Sequence, residues 1–181
     1  MYESLARTSV ALARRYVDVA PTLQPTFSAA EFARWTEYCL RLAQTGWRAW
    51  ESADAFLQIS PFLRQHLSSD ELWIWAEHGN TLAQRSSEVA AAFFRAARPL
   101  LQGTSQPVFA AWVAGSRPYL DASPSLLALA VEYFRLSPLV YSQYAPAAAA
   151  LWSQVGAGFA RVHVQHGQTF FVLSRTHLER T

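Results

Sequence analysis

The chain has 181 residues, about half of them apolar, a net charge of +2 and a mean hydropathy of +0.03. That length supports one domain with a real core, and no apolar run of about 18 residues is present to span a membrane. The single cysteine, Cys39, excludes an internal disulfide and a multi-cysteine zinc site, and the fifteen basic residues, all arginine, are scattered among thirteen acidic ones without the basic stripe of a nucleic-acid binder. The opening MYESLARTSV lacks the basic and apolar regions of a secretion signal, so a soluble, cytoplasmic protein is expected.

In chain order, the first predicted element is a helix over about 4–19, a half repeat within residues 1–27. Four predicted helix pairs follow: 28–44 with 47–59, 68–85 with 87–97, 105–120 with 124–136, and 146–161 with 165–179. Ser28 and Ser68 each precede a glutamate by three residues (Glu31, Glu71), the pattern of a capping box that starts a helix. Pro124 and Pro146 stand in the first turns of later helices, where a missing N–H costs nothing. No stretch alternates with period two, so no strand is predicted.

These pairs repeat. Trp35, Trp75, Trp112 and Trp152 are 40, 37 and 40 residues apart. Four positions after each stands a small residue (Cys39, Gly79, Ser116, Gly156), and seven after it a large apolar one (Leu42, Leu82, Tyr119, Phe159), all on one helix face. In the second helices, Ala13, Ala53, Ala91 and Ala130 come eight residues before Pro21, Pro61, Pro99 and Pro138, and Tyr16, Phe56, Phe94 and Tyr133 come five before them. The alanine lets a neighbouring helix come close, the aromatic fills the gap, and the proline is expected to end the helix. The last repeat keeps Gly167 and Phe170 in those slots, with Arg175 in place of the proline. The fold expected is therefore all-α: a single domain over 1–181, an α-α superhelix of about nine helices with a period of 37–40 residues and repeats at 28–67, 68–104, 105–144 and 145–181.

Tryptophan, a small residue at plus four and a large one at plus seven resemble the first helix of the tetratricopeptide repeat, whose period is about 34. The segments FARWTEYCLRLAQTGWRAWESADAFLQISPFLRQHL and LLALAVEYFRLSPLVYSQY resemble the helical arrays that precede von Willebrand A domains in bacterial proteins partnering MoxR-type AAA+ ATPases. That resemblance implies a TPR-like solenoid working within an ATPase-associated assembly. The chain carries no Asp-x-Ser-x-Ser motif, so the von Willebrand A domain itself is not expected within it.

Helix pairs stacked in this way build a continuous core and leave a groove, so the expected function is non-catalytic: a scaffold holding a peptide or protein surface, without cofactor or metal. The four template tryptophans are expected in the core, and Trp50, three residues before Ala53, with them. Trp47 and Trp73 stand outside the template and are the candidate partner contacts, since tryptophan is a frequent hot spot when exposed. His163 and His166 are spaced for one helix face but lack further ligands nearby, and are read as helix-end residues. Two rival readings are a small-molecule-binding or enzymatic helical domain, with an aromatic-lined pocket and Arg41, Glu77 or His78 as its polar groups, and a homo-oligomer built on exposed aromatic surface.

Overall fold

The computed structural model describes residues 5, 7, 9–46, 48–120 and 123–180. Among them are nine α-helices and two short 3-10 turns, with no strand, so the fold is all-α as expected. The helices are α1 (Val10–Leu23), α2 (Ala29–Gln44), α3 (Ala49–His66), α4 (Ser69–Ala83), α5 (Ser87–Gly103), α6 (Gln106–Gly115), α7 (Pro124–Gln143), α8 (Pro146–Val162) and α9 (Val164–Leu178). The chain divides into two compact units, Met1–Arg98 and Pro99–Thr181, the division falling within α5.

Both capping boxes form. The hydroxyls of Ser28 and Ser68 accept from the N–H groups of Glu31 and Glu71, and the two carboxylates accept in return from the serine N–H groups at 2.8 and 2.9 Å. Glu31 also accepts from the hydroxyl of Ser69, at the start of α4, tying one repeat's cap to the next. With that bond, and those from Ser28, its carboxyl is held down at about 2. A carboxyl depressed in the folded state stabilises above its ordinary pKa and loses that contribution as pH falls toward the folded value. We therefore expect Ser69→Ala to lower the unfolding free energy from urea denaturation at pH 6 by about 0.5 kcal/mol, the contact being half-buried. The difference from wild type should close as pH falls from 4.5 to 2, measured by circular dichroism.

The prolines do not behave as predicted. Pro21, Pro61, Pro99 and Pro138 lie inside α1, α3, α5 and α7, which run on to Leu23, His66, Gly103 and Gln143. An internal proline forfeits one backbone bond, but the turn beyond it here buries Leu23, Leu63, Leu100, Val140 and Tyr141, and this apolar burial outweighs the loss. Before Pro138 the loss is softened further, as Ser137 donates to the carbonyl of Phe134, four residues before the proline, at 3.4 Å.

The repeat template is a packing rule. Trp35, Trp75 and Trp112 are fully buried, as are Ala13, Ala53, Ala91 and Ala130. In two repeats the small residue after the tryptophan receives the aromatic of its paired helix: the Phe94 ring fills the space a side chain at Gly79 would take, and Phe170 and Phe171 do so at Gly156. Gly167, in the alanine slot, packs directly on Leu129 and Ala160. At the periphery the packing is looser. Trp50 is 46% exposed, on the outer side of the first turn of α3, and Phe159, whose counterparts Leu42, Leu82 and Tyr119 are fully buried, is also 46% exposed.

Candidate functional site

Of the two candidate partner contacts, Trp47 lies outside the described residues. Trp73 is only 7% exposed. Its ring stacks between Phe27 and Tyr38, each at 5.9 Å, with the Arg34 guanidinium 4.6 Å from its centre. Trp73 therefore packs against adjacent elements and is not an exposed contact: the side of α4 that carries it meets α2 and the turn before it. Arg41 and Glu77 converge on the same stack, Arg41 over the Tyr38 ring at 4.4 Å and Glu77 accepting from the Tyr38 hydroxyl. His78 lies against Phe93 at 5.2 Å. These polar groups serve interhelical packing.

Burial pushes the Cys39 thiol up to about 12, and the same cause raises the Tyr119, Tyr133 and Tyr141 hydroxyls above their ordinary range. His163 caps α9, its Nδ1 accepting from the Gln165 N–H at 3.2 Å, as expected of a helix-end histidine. Among the described residues, no three His, Cys, Asp or Glu side chains gather as a metal site would require, and no helix is long and apolar enough to cross a membrane.

The feature that stands out is α8. Its inner face is made of small residues, Ala149, Ser153, Gly156, Ala157 and Ala160, which let its neighbours approach closely. A surface helix ordinarily carries polar residues on the opposite side. In α2, for comparison, Arg34, Glu37 and Arg41 face outward. On α8 the outer face is Ala148, Leu151, Val155, Phe159 and Val162, one stripe at helical spacing, with the last four 60, 39, 46 and 77% exposed. Arg161 is the only charged residue of the helix.

The repeat register says what such a face does elsewhere. In α2 the position three after the tryptophan, Tyr38, meets Trp73 and Glu77 of α4, and the position four before it, Glu31, meets Ser69. In the second unit, Gly115, three after Trp112, accepts through its carbonyl from Ser153 of α8 at 2.6 Å. Tyr119, seven after it, donates to the Ser153 carbonyl at 3.3 Å. This side of one repeat's first helix therefore receives the first helix of the next. On α8 the same positions are Ala148, Val155 and Phe159, exposed in whole or in part, with the Phe159 ring against Phe170 at 5.7 Å.

Beside the stripe lies a cleft of about 210 Å³ between the end of α7 (Val140, Tyr144), α8 (Ala148, Trp152) and α9 (Ser174, His177, Leu178). Its walls are fixed by two hydrogen bonds, from the Trp152 indole N–H to the Ser174 hydroxyl at 3.0 Å and between His177 Nε2 and the Tyr144 hydroxyl at 3.2 Å. Trp152 is the one template tryptophan that is only half-buried. The outer face of α8 escapes the sequence reading because Leu151, Val155 and Val162 stand outside the repeat template. The signal was present: both sides of this helix are apolar, whereas a surface helix ordinarily turns a polar face outward. No protein-family model, curated protein or solved structure matches the chain.

Proposed function

We propose that the chain is a non-catalytic scaffold that binds a protein surface, and that α8 supplies the contact. The observation that carries this reading is the uncharged outer stripe of α8, with Leu151, Val155, Phe159 and Val162 left in solvent. Exposed apolar stripes of this kind mark association surfaces, because each residue removed from water contributes about 25 cal/mol per Å². The resemblance to arrays that serve AAA+ ATPases supports an ATPase-associated setting for this scaffold. We expect wild type, used as bait in native lysate, to retain a defined polypeptide that Leu151→Glu/Phe159→Glu does not, with helicity unchanged by circular dichroism. Equal retention by both proteins would reject α8 as the contact.

The cleft beside Trp152 favours a second reading, a small apolar ligand held between Tyr144 and Trp152. A rise in melting temperature with small aromatic compounds, lost in Ala148→Leu, would support it.

A further inference from the structure

We infer that the cleft beside Trp152 binds a small uncharged molecule, one ring in size, that carries a hydroxyl group, and that this hydroxyl bonds to Tyr144. The inference rests on the reading of the cleft as a ligand site and names the class of ligand.

Three observations select this class. The first is charge. Among the described residues that line the cleft there is no arginine, aspartate or glutamate. A carboxylate or ammonium group entering it would leave water without an ion partner, a cost that a neutral molecule does not meet. The second is size. The cleft holds about 210 Å³, and an apolar cavity of about 150 Å³ already accepts benzene, so there is room for a ring with one or two small substituents. Val140, Ala148 and Leu178 give that ring apolar walls. The third is hydrogen-bonding capacity. The Ser174 hydroxyl is occupied, accepting from the Trp152 indole N–H at 3.0 Å and donating to the Phe170 carbonyl at 2.8 Å. The Tyr144 hydroxyl, 3.2 Å from His177 Nε2, keeps a free valence whichever way that bond runs. If Tyr144 donates, its oxygen can still accept; if Nε2–H donates, the Tyr144 O–H can still donate. Tyr144 and His177 both line the cleft, and Tyr144 is 39% exposed, so this valence is offered at the rim. A ligand hydroxyl donates and accepts and so answers either arrangement, whereas a carbonyl or an ether answers only the second.

The test is isothermal titration calorimetry on the full chain with toluene, p-cresol and 4-methylbenzoate, which share one ring and one methyl group. Wild type should bind p-cresol with a dissociation constant between about 0.1 and about 1 mM, and toluene no more tightly. It should bind 4-methylbenzoate at least about tenfold more weakly. Tyr144→Phe, with helicity unchanged by circular dichroism, should weaken p-cresol about fivefold and leave toluene within about twofold. Ala148→Leu, which fills the cleft, should abolish binding of both. No binding of p-cresol or toluene up to about 5 mM, or binding unmoved by Ala148→Leu, would overturn the inference together with the ligand reading of the cleft. Toluene bound more tightly than p-cresol, 4-methylbenzoate bound as tightly as p-cresol, or a p-cresol affinity unmoved by Tyr144→Phe would overturn the inference and leave the ligand reading standing.

Discussion

Replacing Gly79 by alanine should destabilise the first unit by about 2 kcal/mol, despite the gain of about 1 kcal/mol that alanine brings to a helix interior. The added methyl would overlap the ring of Phe94. That ring cannot swing aside, because it is packed against Trp75 at 4.9 Å, Phe56 at 5.5 Å and Phe93 at 5.7 Å, all of them buried. Relief would need helices α4 and α5 to separate, at the cost of contacts along the whole pair. Gly158, on the exposed side of α8, is the control. A methyl there meets nothing within 4 Å, so Gly158→Ala should stabilise by up to about 1 kcal/mol. Urea denaturation followed by circular dichroism compares the two, and equal effects would mean that the small residue after the tryptophan is not a packing requirement.

The second large effect is at Trp112. This side chain is fully buried, stands 6.1 Å edge-on to Phe134, and donates its indole N–H to the Ser137 hydroxyl at 2.8 Å. Trp112→Ala leaves a cavity the size of an indole and takes a partner from a buried serine, for a loss of about 4 kcal/mol. At Trp152, half-buried at the edge of the cleft, the same change should cost about half as much, because solvent can enter the space that is left. Comparable losses at the two positions would show that the last repeat is as closed as the one before it.

What could be read from the sequence followed from the size of the physical effects. A tryptophan, a small residue one turn on and an alanine on the paired helix recur because close helix packing tolerates nothing else, so the helix pairs and much of the core could be placed from spacing alone. Ser28–Glu31 and Ser68–Glu71 were equally legible, since a capping box is a local structure that needs no knowledge of tertiary contacts. The prolines misled because their cost is local while the compensating burial of Leu63, Leu100 and Val140 is tertiary. Trp73 misled for a related reason: standing outside the repeat template does not say whether Phe27 and Tyr38 arrive to cover it. Phe159 is the converse case, 46% exposed at a template position that is buried at Leu42, Leu82 and Tyr119.

The central claim is that the outer face of α8 is covered by protein in its native setting. The direct measurement is the rate of thiol alkylation at Val155→Cys in native lysate and in dilute purified protein, with Val17→Cys on α1 as reference and Cys39 silent because it is buried. The account predicts labelling at least about tenfold slower in lysate at position 155, the equivalent of roughly 1.4 kcal/mol of protection, with no change at position 17. Equal rates in the two settings at position 155 would contradict it.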